Sequence, residues 1–202
     1  FKKDALQNSG VKAVTLAVDS ADALKAGKKG ADKAGKIIDA CNLVRDLVNT
    51  PSNELRTDQY ASMAADIGKK AGLKVKIMKE DELKKGGFNA LLAVNKGSDQ
   101  PPRMVILEHN ADKKGLDTIC LVGKGITFDT GGISLKPSNA MEDMKCDMAG
   151  SATVLGIMQI VAQLNLPLHV VGVMPITDNM PSGKATVPGD IVKSYQGKTI
   201  EI

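Results

Sequence analysis

Tryptophan is absent from these 202 residues, and there are only three phenylalanines and two tyrosines. So few ring faces argue against a single-strand nucleic-acid surface, which depends on base stacking. The core must instead be assembled from Val, Ile, Leu, Ala and Met. The three cysteines, Cys41, Cys120 and Cys146, are an odd number without metal-type spacing. They fit a reducing cytosol better than secretion. Cys41 and Cys120 fall in apolar runs and are expected to be buried thiols. Histidine is limited to His109 and His169, neither with a ligand-spaced partner, and both read as structural or surface residues. No run of about 18 apolar residues occurs, so no membrane span is expected. No secretory signal opens the chain, and Phe1-Lys-Lys-Asp lacks Met, so the chain reads as a piece of something longer.

The rest of the composition is ordinary for a globular protein: 43% hydrophobic, 25% charged and a formal charge of +4. The lysines are scattered, and the small clusters Lys28-Lys29 and Lys84-Lys85 read as solvated faces. The length suits one sizeable domain, or one and a fraction. Val11–Val18 alternates like a strand, and a polar Lys/Ala/Gly stretch follows to about Lys33. Ile37, Ile38, Cys41, Leu43, Val44, Leu47 and Val48 recur at helical spacing, up to the stop at Asn49-Thr-Pro-Ser-Asn53. Thr57 is placed to cap a helix ending near Lys70, with Gly72 beyond it. Leu73–Met78 alternates like a strand. Asp81–Lys85 reads as a short helical turn. Ala90–Val94, Arg103–Glu108 and Thr118–Val122 are apolar runs that predict strands buried on both faces. Glu142–Leu164 predicts one long helix. Leu168–Met174 predicts another buried strand, with strand fragments at Ile191–Tyr195 and Lys198–Ile202. Strands alternating with helices predict an α/β fold: a mixed, mostly parallel sheet sandwiched between helices in three layers. The expected organisation is a remnant of a preceding domain over 1–33, a connecting helix over 34–55, and the first part of an α/β domain over 56–202.

The chemistry concentrates in Val122-Gly-Lys-Gly-Ile-Thr-Phe-Asp-Thr-Gly-Gly-Ile-Ser-Leu-Lys136 and Met144-Lys-Cys-Asp-Met-Ala-Gly-Ser-Ala152. The first segment follows a buried strand, where open α/β folds gather ligands. Asp129 and Asp147 can hold a divalent cation between them. Lys124 can coordinate only as the neutral amine, which requires a pKa well below the reference of ~10.4; an adjacent dication can impose that. Lys136, if protonated, can polarise a carbonyl oxygen or stabilise an oxyanion. Each residue has a plainer reading taken alone: Asp129 a turn residue, Asp147 an N-cap, Lys124 a phosphate-binding lysine, Met144 a core residue. A full phosphate loop fails, because Thr118 stands where its first glycine belongs and Gly125 where Ser or Thr should follow the lysine.

Taken together, Val122–Pro137 and Met141–Gly150 resemble the leucyl aminopeptidase family of cytosolic two-metal exopeptidases. Arg45-Asp-Leu-Val-Asn-Thr-Pro-Ser-Asn53, Asn179-Met-Pro-Ser-Gly-Lys-Ala185 and Pro188-Gly-Asp190 extend the resemblance over roughly residues 34–202. It implies that Asp129 contacts both metals, that Lys124 and Asp147 ligate the more tightly held one, and that Lys136 contacts the substrate carbonyl. Met144 falls where the family lines the pocket for the N-terminal side chain. The implied cofactors are two divalent ions, Zn or Mn, with Mg or Co accepted, and a bicarbonate base. The implied substrates are peptides with a free N-terminus, and the implied assembly is a homo-hexamer in the cytoplasm. Nucleic acid is not an expected partner of this segment. The family's Asn-Thr-Asp-Ala-Glu-Gly-Arg motif, with two further carboxylates and the bicarbonate-holding arginine, should begin where this chain stops. The expectation is therefore a metalloaminopeptidase, of which the chain alone is an incomplete and inactive piece. The alternative is a non-catalytic fragment, or a phosphate- or nucleotide-binding module using the Gly123-Lys124-Gly125 loop.

Overall fold

The computed structural model describes residues 11–202. The chain divides into two compact units, Phe1–Gly35 and Lys36–Ile202. Residues 11–18 form no strand, contrary to the expectation from their alternation. An alternating pattern becomes a strand only beside a neighbour that completes its ladder, and none of the described residues does so. Helix α1 (Ala21–Asn49) starts well before Ile37. Its first half has no apolar stripe, so periodicity could not reveal it. Alanine and lysine, both strong helix formers, dominate there and outweigh three glycines.

In the second unit α1 turns Ala40 and Leu47 into the core, with Leu43, Val44 and Val48 packed beside them. Cys41 lies exposed on the other side of this helix, a correction to the buried thiol expected. Helix α2 (Thr57–Lys70) ends in a Schellman arrangement: Leu73 N–H donates to Gly68 O, Gly72 N–H donates to Lys69 O, and Gly72 has φ +78°. Thr57 is its first residue rather than its cap, and its hydroxyl instead donates to Pro101 O at 2.8 Å. Strand β1 (Lys74–Met78), α3 (Glu80–Lys85) and α4 (Asn89–Asn95) follow. The run Ala90–Val94, expected as a strand, is thus helical. Its Ala and Leu residues favour a helix, and a run so short carries no decisive period.

Strands β2 (Arg103–His109), β3 (Thr118–Val122), β4 (Gly125–Asp129) and β5 (His169–Asn179) complete the main sheet, and β6 (Ile191–Lys193) pairs with β7 (Thr199–Glu201). β2 lies antiparallel to both β1 and β5, whereas β3 and β4 run parallel to β5 one after the other. Four of the five strands therefore point the same way, in a mixed sheet. Helix α5 (Ala149–Gln163) and α2 cover one face. There Leu155, Met158, Tyr60 and Ala64 join Val105 and Leu107 of β2 and Val170 and Met174 of β5 in one core. On the other face Asn95 of α4 donates to Thr177 Oγ1 at 2.9 Å, so helices flank both sides of the sheet. Elsewhere on that face Cys120 and Val122 of β3 are exposed. This corrects the expectation of a buried thiol and of a strand covered twice, because no described element lies over them.

The long helix expected from Glu142 to Leu164 is broken. A 3-10 helix (Met141–Cys146) precedes α5, with Asp147 and Met148 between them. The cause is in the backbone. A continuous α-helix would pair Ser151 N–H with Asp147 C=O. Instead Ser151 N–H donates to Lys124 O at 2.8 Å, and Asp147 O accepts from Ile126 N–H at 3.3 Å. Both groups are turned outward onto the start of β4, which clamps the strand to the interrupted helix.

Candidate active site

Lys124 stands in the two-residue gap between β3 and β4, and Asp129 is the last residue of β4. Between Ile126 and Asp129 the pairing with β5 slips, three steps on β4 facing two on β5. Such a bulge re-aims the side chain that follows it. Beyond Asp129 the chain turns through Gly131, at φ +90°, where an added Cβ would lie 2.3 Å from Ser134 O. The turn closes with Lys136 N–H donating to Thr130 O at 2.9 Å, which brings the Lys136 ammonium back onto Asp129 Oδ2.

The structure thus sorts the four charged candidates into two ion pairs. Lys136 binds Asp129, and Lys124 Nζ lies 3.0 Å from Asp147 Oδ2. Asp129 Oδ1 also accepts from Gly131 N–H at 2.9 Å and from Asn179 Nδ2 at 2.8 Å. Burial works against this carboxylate, but the Lys136 ammonium, the Gly131 amide and the Asn179 amide outweigh it and hold the carboxyl below its usual range. Asp147 is placed differently. Its Oδ2 is buried and has no hydrogen bond among the described residues; the nearby Lys124 contributes charge without hydrogen-bonding alignment. Met144 lies half-buried in the 3-10 helix, its carbonyl accepting from Asp147 N–H at 3.2 Å.

Asn179 is a site residue that the sequence reading did not single out. It ends β5 beside the end of β4, and its own carbonyl is held by Thr130 through N–H at 3.0 Å and Oγ1 at 2.8 Å. The available signal was position: a polar amide at the carboxyl end of a buried strand is where α/β folds build sites. Its neighbour Asp178 lines a separate cleft of about 700 Å³ with Arg56, Ser98, Thr127 and Phe128. Burial pushes the Asp178 carboxyl up despite the Ser98 hydroxyl and the Arg56 charge, and its Oδ1 has no hydrogen-bond partner among the described residues. A raised acid favours the folded state while protonated, and that advantage is lost as pH rises through the folded pKa. Asp178→Asn is therefore expected to raise Tm at pH 7 by roughly 2–4 °C. Melting curves should show the gain vanishing near pH 3, below the unfolded value of ~3.9.

The donors fit a dication. Asp129 and Asp147 supply hard carboxylate oxygens, and one buried oxygen of Asp147 is left without a hydrogen bond. Among the described residues no three His, Cys, Asp or Glu side chains converge. To hold a metal, Asp129, Asp147 and Lys124 would need further donors beside them.

Residues 42–202 match the catalytic domain of the cytosol aminopeptidase family. The chain belongs to that family. It is 46% identical over 205 residues to a probable cytosol aminopeptidase of Chlorobaculum parvum, covering 100% of this chain and 40% of that protein. A probable cytosol aminopeptidase of Chlorobium limicola is 48% identical over 170 residues, 84% of this chain and 34% of its own length. The fold is likewise that of the family. Leucine aminopeptidase of Caenorhabditis elegans superposes with TM-score 0.80 at 32% identity, over 85% of this chain and 35% of that one. The bottromycin maturation enzyme BotP in complex with Mn gives 0.81 at 38% identity, over 86% and 38%. The chain therefore spans well under half the length of these members. No helix among the described residues is long and apolar enough to cross a membrane.

Proposed function

We propose that the protein to which these residues belong is a metal-dependent aminopeptidase, releasing N-terminal amino acids of leucine type from peptides. The observation that carries the reading is the pairing of Lys124 with Asp147 and of Lys136 with Asp129 around β4, in a chain of the cytosol aminopeptidase family. Asp129, Asp147 and Lys124 would hold divalent metal, Zn or Mn in the first instance. The remaining donors, and an arginine for a bicarbonate, would come from outside these residues. Bound dications would polarise the scissile carbonyl and lower the pKa of water toward neutrality. The Lys136 ammonium, which rests on Asp129, would serve as the donor to the substrate carbonyl oxygen, where negative charge grows in the transition state. Asn179 and the Gly131 amide keep Asp129 oriented throughout. Met144 contributes to the pocket for the N-terminal side chain.

In this reading residues 56–202 are the first part of the catalytic domain, after a connecting helix over 34–55 and a remnant of a preceding domain over 1–33. The cytoplasm and a hexameric assembly follow from the family resemblance. Phosphate binding by Gly123-Lys124-Gly125 is disfavoured, because the Gly123 N–H is already donated to Val173 O at 2.9 Å. The test is leucine release from leucine amide by the full-length protein with added Mn or Zn. Turnover that a chelator abolishes and metal restores is expected; a full-length protein that releases no N-terminal residue under these conditions overturns the assignment. The purified 202-residue chain, having only part of the ligand set, is expected to show no turnover in the same assay.

A further inference from the structure

The only hydroxyls from side chains of α2 and α5 that meet in the core are those of Tyr60 and Ser151. Both residues are fully buried, and Tyr60 Oη lies 2.8 Å from Ser151 Oγ. Ser151 Oγ in turn donates to Met148 O at 2.8 Å. Burial pushes the Tyr60 phenol far above its usual range, so it keeps its proton. Since the single serine hydrogen is committed to Met148, Tyr60 is the donor. A directed chain results, from the Tyr60 O–H to the Ser151 Oγ–H to the Met148 carbonyl. It ends on the residue next to Asp147.

Ser151 also reaches the other ligand candidate. Its backbone N–H holds the Lys124 carbonyl at 2.8 Å. The hydroxyl is seated tightly as well, since a Cβ added at Gly125 would lie 3.0 Å from Ser151 Oγ. One residue thus binds the α2 phenol through its side chain, the Lys124 backbone through its N–H, and the turn after Asp147 through its hydroxyl proton. Apolar packing alone would give a core of similar stability but would not fix the rotation of the helix break about β4. Directional hydrogen bonds between buried groups do fix it.

We propose that Tyr60 and Ser151 are positioning residues for the metal site, setting the placement of Asp147 relative to Lys124 and thereby the affinity for a dication. This rests on the metal-dependent reading above. Neither residue touches metal or substrate; both act through the backbone of the clamp. An ordinary buried hydrogen bond would affect stability alone, so the deciding readout is metal affinity.

The experiment titrates Mn(II) into the metal-free full-length protein and its Tyr60→Phe, Ser151→Ala and Thr57→Val variants, with free Mn measured by electron paramagnetic resonance and folding checked by thermal melts. Thr57→Val is the control, since it removes another fully buried hydroxyl bond from α2, to Pro101 O, away from the clamp. Tyr60→Phe and Ser151→Ala should each weaken Mn(II) binding about 10-fold or more. The double variant should be little worse than either single one, as expected of groups acting as a unit. Thr57→Val should lose stability but keep wild-type affinity. Affinities of Tyr60→Phe and Ser151→Ala within twofold of wild type overturn the proposal, as does a Thr57→Val affinity that falls in step with its Tm. A wild-type protein that binds no Mn(II) or Zn(II) instead sinks the metal-dependent reading, and this inference with it.

Discussion

Gly123→Ala is expected to wreck the site from a position that carries no chemistry. A Cβ there would stand 2.4 Å from Gly150 O, 2.7 Å from Gly150 C and 2.7 Å from Ser151 Cα. All three are backbone atoms of the first turn of α5, so no side chain can swing aside to make room. Either β4 or the start of α5 must shift, and the shift pulls on the two hydrogen bonds that join Lys124 and Ile126 to Ser151 and Asp147. Overpacking of this kind costs about 1–3 kcal/mol and occasionally more. The upper end is expected here because the clash is backbone against backbone and α5 is a core helix. Urea unfolding of the variant should show the lower midpoint, and Mn(II) titration should show binding lost along with it. A variant with wild-type stability and affinity would mean that strand and helix do not approach each other as described.

Lys136→Met separates the chemistry from the scaffold. The side chain is roughly conserved in length, the ammonium is lost, and the turn through Gly131 is untouched. If Lys136 serves the carbonyl oxygen in the transition state, kcat on leucine amide should fall about 10²–10³-fold, the usual cost of deleting one such donor. Metal stoichiometry should be unchanged, because Asp129 keeps its bonds from Gly131 and Asn179. KM should move little, since an interaction made only in the transition state is lost. A kcat within threefold of wild type would leave Lys136 as a counter-ion of Asp129 and nothing more.

Local pattern was enough to read much of this molecule. The amphipathic part of α1 announced itself through Ile37 to Val48, β2 through its apolar run, and α2 through its length and Gly72. Lys124, Asp129, Lys136 and Asp147 stood out by spacing, and the structure joins them in pairs. What escaped the reading was set by tertiary partners. Val11–Val18 has strand-like alternation but, among the described residues, no ladder to join. Ala90–Val94 has the composition of a buried strand but lies beside the sheet as a helix. The break before α5 has no proline to announce it, because its cause is β4, more than twenty residues upstream. Asn179 escaped for the same reason: an amide becomes a site residue only when the neighbouring strand ends beside it on an aspartate.

The two backbone bonds between β4 and the start of α5 bear on motion as well as placement. Segments that carry ligands usually open easily, well below the free energy of global unfolding. Here the amides of Ile126 and Ser151 are each tied to the opposite partner of a core strand and a core helix. Their protons should exchange with deuterium as slowly as those of Leu155 or Val173, so the face that carries Lys124 and Asp147 would loosen only when the sheet itself comes apart.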